Sequence, residues 1–545
     1  MPVVHPLKII FPVADARGRP RGTRSRVLVL AVVASLAATV STGVATPATA
    51  APGGHDAGTA TAAASVTNLA EAANSPGATT VPAPDARLAE FARRAQPNLP
   101  SRPSVGSRPA PATGAGAAGP AAGSAPAVPA VAPPLASTFD GITQTVGCGG
   151  CQPSDSNAAT SGLEIVELVN TFIQVTTNTG SVLCGGGVTL NRLLRSTDSL
   201  TDPRIQFDNI NRRFSFAVTI VPASTSATPA MWVAASDTAD ACGTWRIYRL
   251  TFNGGSFPAG TFLDFPMLGQ DTNALLISTR NFTPSGENFT VYGLPKSTIY
   301  AGTAVSFSAF TVASLTAPIT NAGQPMVTSA FSYFLAAVPG TGYRLYRLTN
   351  SGGPGAALTL QASISSPFTA PTRRANQPGT TTTLDPSDGN ILSTPFFDGN
   401  GIWFAHDVDL AGFPTIRYGV IFVLTNAITA AIAYHSGTSD DFVPSIGLGL
   451  NSGTVYLNWT YTDAPSGTAA SNVVDSLPGT QALGNLIGTS VAYSVGSSTS
   501  QTRFGDFSSV SIDPLVAGGT CAVLAGQYFA PDGTWRTRLA RVGSC

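Results

Sequence analysis

The chain has 545 residues, 29 basic and 29 acidic, for a formal net charge of zero, and only 11% of its residues are charged. A zero balance leaves no basic face for phosphate, which excludes nucleic acid as a partner. At roughly 150 residues per domain, the length allows about three units or one large repeat domain with appendages.

Residues 1–50 read as a signal peptide. Arg17, Arg19, Arg21, Arg24 and Arg26 precede an apolar run from Val27 to Val40, and Ala48-Thr49-Ala50 supplies the small-x-small pattern of a cleavage site. The run is too short to span a hydrocarbon core, and no later stretch is long and apolar enough to do so. The expectation is a secreted, extracellular protein with no membrane span after cleavage. From 51 to 138 the composition shifts: 21 of the 27 residues from Pro111 to Ser137 are Ala, Pro or Gly. Such a stretch buries too little apolar surface to offset its chain entropy and reads as a disordered Ala/Pro/Gly-rich spacer, with a propeptide as the alternative. One short helical turn is predicted around Asp85–Gln96, where Leu88, Phe91 and Ala92 share a face.

The six cysteines, Cys148, Cys151, Cys184, Cys242, Cys521 and Cys545, all follow the spacer. An even number in an exported chain points to disulfides. Cys148-Gly-Gly-Cys151 has no second CxxC, and only His406 and His435 lie beyond residue 137, so the usual zinc ligand set is missing.

Residues 139–545 carry short runs rich in Val, Ile, Phe, Tyr and Trp, separated by Gly, Asn, Asp and Pro, an all-β vocabulary. The runs around Ile165, Ala217, Leu276, Tyr333, Trp403, Tyr456 and Val523 are alike, and they recur about every 60 residues, a length that suits four short strands and their turns. Asp208, Asp271, Asp398 and Asp513 lie in turn signals just before such runs and are read as structural hairpin residues. YRLYRL (343–348), TWRTRLARV (534–542) and TWRIYRL (244–250) are read as strands in which arginines recur among apolar residues. Seven similar four-stranded sheets are best accommodated by a β-propeller, in which each sheet's faces are covered by its neighbours. The predicted blades are 139–198, 199–262, 263–318, 319–371, 372–437, 438–496 and 497–545. Because the first and last blades must meet, a disulfide from Cys148 or Cys151 to Cys521 or Cys545 is expected to tie the ring shut. Cys184 would then pair with Cys242; the rival is local pairing, Cys148 or Cys151 with Cys184 and Cys521 with Cys545.

The segments PSDSNAATSGLEIVELVN (153–170), DFPMLGQDTNALLIST (264–279), DDFVPSIG (440–447) and RFGDFSSVSIDP (503–514) resemble a group of exported bacterial β-propeller proteins of no agreed activity. The resemblance covers 147–545, is most specific in RFGDFSSVSIDP, and implies seven blades. Pro531-Asp532-Gly533-Thr534-Trp535 is remotely similar to the Asp-box turns of sialidase-type propellers.

A second set of aspartates precedes the first strand of several blades: Asp155, Asp202, Asp264, Asp441 and Asp506, joined by Arg204 and Arg503. In a propeller the first strand is innermost, so these side chains are expected to converge on the channel mouth as a ligand-binding site. Asp155, Asp264, Asp441 and Asp506 are candidate Ca²⁺ ligands, although no cofactor is required. His406-Asp407 lacks a GxSxG elbow and reads as a lone exposed or packed histidine. The functional expectation is a monomeric extracellular binding or scaffold module for a glycan or a protein. The alternative is a sialidase-like glycoside hydrolase using the channel-mouth Asp and Arg residues.

Overall fold

The computed structural model describes residues 55–60, 65–81, 87–88, 91, 99–101, 107–108, 132–321, 331–449, 452–478 and 483–545. The signal peptide and most of the spacer lie outside the described residues.

Seven antiparallel sheets follow one another along the chain. Blade 1 comprises Asn157–Thr160, Glu164–Val169, Phe172–Thr177 and Val188–Thr189. Blade 2 runs Leu200–Asp208, Arg213–Ile220, Ala230–Ser236 and Thr244–Phe252, and blade 3 runs Phe262–Gln270, Ala274–Thr283, Gly286–Pro295 and Val305–Val312. Blade 4 is Ala317–Pro318, Phe331–Val338, Gly342–Thr349 and Ala357–Ser365. Blade 5 starts on the short Phe396–Phe397 and continues through Gly401–Leu410, Phe413–Phe422 and Ala427–Tyr434. Blade 6 is Asp440–Gly449, Thr454–Asp463, Thr468–Pro478 and Val491–Ala492. Blade 7 takes Ser509–Ile512, Cys521–Phe529 and Trp535–Gly543 from the C-terminal end, and its outer strand, Leu135–Thr143, from the start of the domain. The chain thus forms a seven-bladed β-propeller.

The recurring runs of the sequence are the second strands of the blades, and their period-two alternation places successive side chains against the two neighbouring blades. In blade 2, Phe214, Phe216 and Val218 pack toward blade 1 while Ala217 packs toward blade 3. Leu275 and Ile277 of blade 3 face blade 2, whereas Ala274 and Leu276 face blade 4. Blade 5 divides Ile402 and Phe404 from Trp403 and Ala405 in the same way. The last interface joins Val523, Ala525 and Leu539 of blade 7 to Ala158 and Ile165 of blade 1. Both faces of these strands are therefore core, which explains runs that are almost continuously apolar.

The hairpin aspartates are turn residues. Asp208 accepts the amides of Ile210 (3.0 Å) and Asn211 (2.9 Å), and Asp398 those of Asn400 (2.8 Å) and Gly401 (2.7 Å). Asp271 accepts from Asn273 and Ala274, both at 2.6 Å, and Asp513 from Leu515 at 2.9 Å. Short pieces of the stretch expected as spacer also rest on the propeller. His55–Ala60 pairs with the outer strands of blades 2 and 3, and Ser65–Asn68 with that of blade 2. Leu69 and Ala72 of the helical turn Leu69–Ala73 join the core between blades 1 and 2.

The expected clasp is not what closes the ring. Cys148 pairs with Cys151 and Cys521 with Cys545, while Cys184–Cys242 bridges blades 1 and 2 as anticipated. Closure falls instead to backbone pairing of Leu135–Thr143 with Trp535–Gly543, from Leu135 opposite Val542 to Thr143 opposite Arg536. This strand begins at Leu135, inside the stretch assigned to the spacer, so the sequence boundary hid the closing element. Gly141 sits where a Cβ would come within 2.5 Å of Thr537 Oγ1 and Leu539 Cδ1 and within 2.3 Å of Glu167 Oε2. Gly141→Ala should therefore destabilise the propeller by about 1–3 kcal/mol through overpacking at the seam. Calorimetric unfolding will measure it, and a chain beginning at residue 144 should lose its cooperative transition altogether.

Candidate functional site

The inner strands bulge near their starts. Strand register shifts between Thr201 and Arg204, between Asp264 and Met267, and between Phe442 and Ser445. At these places, and at the corresponding position ahead of blade 1, Asp202, Phe265, Val443 and Asp155 adopt φ of 52–55°. Aspartate tolerates this left-handed conformation, whereas a β-branched or bulky residue adopts it only under constraint from its surroundings. A bulge re-aims a side chain out of the strand's alternation. Here it accompanies a cavity of about 140 Å³ at the channel mouth, lined by Asp155, Asp202, Asp264, Asp385, Asp388 and Asp506 together with Arg280 and Arg503. That volume is close to the cavity in which a benzene-sized molecule is held in an engineered protein core.

The carboxyl groups are bound to one another through a small set of contacts. The Asp506 amide donates to Asp155 Oδ1 at 3.1 Å, and Arg503 pairs with Asp506 at 2.9 Å. Asn170 Oδ1 accepts from the Asp202 amide (3.2 Å) and from Thr201 Oγ1 (3.0 Å), which also donates to Asp202 Oδ1 at 2.8 Å. Asp264 lies near enough to Asp202 for the negative charge of its neighbour to disfavour its own ionisation. Burial pushes Asp155 well above the ordinary carboxylate range, reinforced by Asp506 and Asp202. Asp264 is likewise pushed well up, first by burial and then by Asp202. Asp506 is raised to about 6 by burial, with Arg503 opposing the rise. Burial disfavours the Arg503 charge, but Asp506, Asp155, Asp202 and Asp385 outweigh it and hold the guanidinium protonated. On the wall, Phe265 provides an apolar face, and Phe91 packs on Phe262 with ring centroids 4.5 Å apart.

Five of the seven residues expected at the mouth, Asp155, Asp202, Asp264, Arg503 and Asp506, line this cavity. Arg204 does not. It lies deeper, its guanidinium 3.2 Å from the centroid of the Phe507 ring and 2.8 Å from the Leu392 carbonyl oxygen, with burial lowering its pKa to about 9. Phe265 and Phe507 meet edge-on at 4.9 Å beside it. Arg204 belongs to a second cavity of about 470 Å³, lined largely by neutral groups such as Asn157, Ser445, Ser508 and Ser509. Asp441 is also elsewhere. It stands two residues before its bulge residue Val443, where Asp155 and Asp202 occupy the bulge itself, and it pairs with Arg108 instead.

Asp385 and Asp388 were missed by the repeat pattern because blade 5 starts its inner strand later, at Phe396–Phe397, and the chain reaches the mouth through the preceding loop. The turn signal DPSDGN (385–390) was the available clue. His406 is fully buried, bonds Tyr343 Oη through Nε2 at 2.8 Å, and has its pKa pushed down to about 3 by burial. It is a neutral packed histidine.

Ca²⁺ takes six to eight oxygens at about 2.3–2.6 Å, so its ligands gather within about 5 Å of one another. Among the described residues, the group of three acidic, histidine or cysteine side chains that meets within 4.8 Å is Glu164, Asp240 and Cys242, and Cys242 is held in a disulfide. Of the four candidate Ca²⁺ ligands, Asp155, Asp264 and Asp506 line the mouth cavity and Asp441 does not.

No family model and no curated protein matches the sequence. Similar solved structures include a neuraminidase-like protein from a little yellow-shouldered bat isolate, at 7% identity and a TM-score of 0.33, over 63% of this chain and 98% of that one. The exo-β-1,3-galactanase of Phanerochaete chrysosporium shares 11% identity at a TM-score of 0.28, over 74% and 99% of the two chains. A cobalt-substituted Synechocystis ACO shares 9% identity at a TM-score of 0.36, over 62% and 70%.

The raised pKa of Asp506 fixes the sign of a pH effect. An unfolded aspartate titrates near 3.9, and the folded group at about 6, so the native state binds the extra proton. Its contribution to stability is present below about pH 4 and is lost as pH rises through 6. For a side chain still 28% exposed, this amounts to about 1–2 kcal/mol after solvent screening. Asp506→Asn should remove that part of the decline, read as the difference between urea-unfolding free energies of the two proteins across pH 4–6.

Proposed function

We propose that this protein is an extracellular binding module that receives a small hydroxyl-rich ligand, such as the terminal unit of a glycan, in the carboxylate cavity at the channel mouth. The observation that carries this reading is the gathering of acidic side chains and Arg503 around one ring-sized space. Burial disfavours ionisation of Asp264, which then donates, Asp506 ionises at about 6 and accepts, and Arg503 donates, so the cavity offers both halves of the hydrogen bonds that a sugar hydroxyl makes. Phe265, Phe262 and Phe91 supply an apolar wall for a ring face. Export is supported by three disulfides and, among the described residues, by the lack of a helix long and apolar enough to cross a membrane.

One observation favours glycoside hydrolysis as the second reading. Within a single cavity, burial pushes the Asp264 carboxyl well above the ordinary carboxylate range while Asp506 ionises at about 6 beside Arg503. Environments that push neighbouring carboxyl groups apart in pKa create an acid and a base. Asp264 would protonate the departing oxygen, and Asp506 would act as nucleophile or activate water.

A glycan array run beside a panel of fluorogenic glycosides distinguishes the two. Binding without turnover is the expected outcome, and Asp202→Asn/Asp264→Asn should weaken it by about tenfold or more, the scale of losing hydrogen bonds to charged groups. Turnover that disappears in both Asp264→Asn and Asp506→Asn would establish the hydrolase instead, and no retained glycan in either assay would overturn both.

A further inference from the structure

Arg108 lies in the stretch expected as spacer, yet its side chain is completely buried between blades 5 and 6. One terminal nitrogen donates to the carbonyl oxygens of Pro414 (2.9 Å) and Ser439 (2.8 Å) and to Asp441 Oδ2 (3.2 Å), and the other donates to the Ser436 carbonyl at 3.2 Å. The guanidinium lies over the Tyr434 ring at 4.1 Å from its centroid and within 5.0 Å of that of Phe413. The backbone takes part as well, the Arg108 amide donating to the Gly437 carbonyl at 2.6 Å.

The acid in this socket is fixed independently of its guest. Asp441 Oδ1 accepts from Trp459 Nε1 (2.9 Å) and the His435 amide (2.8 Å), and Oδ2 accepts from Ser439 Oγ at 2.6 Å. Planar aromatic faces, a preorganised carboxylate and several inward carbonyl oxygens match a guanidinium and leave an ammonium poorly served. The guest is Arg108 within Ser107-Arg108-Pro109, and the same tripeptide occurs at Ser101-Arg102-Pro103. An arginine before proline is biased to an extended backbone, which leaves its amide and side chain available to a binding surface.

We propose that the cleft between blades 5 and 6 is an arginine-binding site whose resident ligand is Arg108, so that the N-terminal segment is held on the propeller by specific guanidinium recognition. The site uses none of the cavity carboxylates and is independent of the function proposed above.

The test is chemical rescue in the full chain. Arg108→Gly should lower the thermal midpoint and raise amide exchange at residues 107–108. Millimolar N-methylguanidinium should restore most of the midpoint, and methylammonium should restore none. Arg108→Lys should behave like Arg108→Gly. Adding Tyr434→Leu to Arg108→Gly leaves the partners of Asp441 in place, yet should weaken the rescue by about tenfold, the scale of a desolvated cation–π contact. The assignment is overturned if Arg108→Gly matches the parent protein in both readings. It is equally overturned if Arg108→Lys does so, if methylammonium rescues as well as N-methylguanidinium, or if rescue is absent or unchanged by Tyr434→Leu.

Discussion

Everything in this structure depends on covering both faces of each sheet. A four-stranded sheet with apolar residues on both sides cannot stand in water, and in a ring each such sheet finds a neighbour on either side. Leu335 and Ala337 of blade 4 face blade 5 while Phe334 and Ala336, one residue out of phase, face blade 3. Removing any blade would expose two such faces at once. The closing strand matters for the same reason. Leu135–Thr143 completes the sheet of blade 7 through ladder hydrogen bonds, and the Cys148–Cys151 and Cys521–Cys545 disulfides reinforce local loops around that ring.

A ring built this way brings the starts of its inner strands together whether or not their side chains are compatible. At the mouth of this propeller they are acidic, and gathering carboxylates in partial burial is unfavourable unless charge is neutralised. Three devices do so. Burial raises the pKa of Asp155 and Asp264 and so disfavours their ionisation, Arg503 sits against Asp506, and Arg280 reaches Asp388 at 3.6 Å. The left-handed backbone at Asp155, Asp202 and Phe265 belongs to the same arrangement, since bulged strands no longer point their side chains by simple alternation. Backbone outliers and perturbed carboxyl groups at one cavity are independent signs of a site shaped for something other than stability.

How far this was legible in the sequence follows from which contacts are local. The second-strand runs were visible because their pattern is set by two neighbours that every blade possesses. The hairpin aspartates were visible because an Asx turn is completed within three residues. Closure was not visible, since pairing Leu135 with Val542 requires knowing that the chain's two ends meet in one sheet. The cysteines suggested that meeting and misplaced its agent. The mouth was legible in part: Asp155, Asp202, Asp264, Arg503 and Asp506 were grouped from their place before inner strands. Asp441 failed that grouping because a shift of two residues relative to the bulge is enough to exchange one environment for another. Arg204, two residues beyond Asp202, similarly falls below the cavity. Arg108 gave no signal at all, since its socket is assembled from residues more than 300 positions away.

The two sets of aspartates differ in how their carboxyl groups are met. Asp208, Asp271, Asp398 and Asp513 are each met by turn amides, and several gain a further donor: Lys296 reaches Asp208 at 2.7 Å, Trp403 Nε1 reaches Asp398 at 2.8 Å and Arg541 reaches Asp513 at 2.8 Å. Lys296 holds the Asp208 carboxyl below its usual range despite burial, as expected where donors are plentiful. At the mouth, Thr201 Oγ1 donates to Asp202, the Asp506 amide to Asp155 and Arg503 to Asp506, and burial prevails over the partners of Asp155, Asp264 and Asp506. One end of the inner strands therefore satisfies its acids, and the other leaves theirs with hydrogen-bonding capacity that a ligand's hydroxyl groups would complete. Since the same residue type occupies both ends, the difference lies in the supply of donors, and that supply is what marks the mouth as the place to look for a ligand.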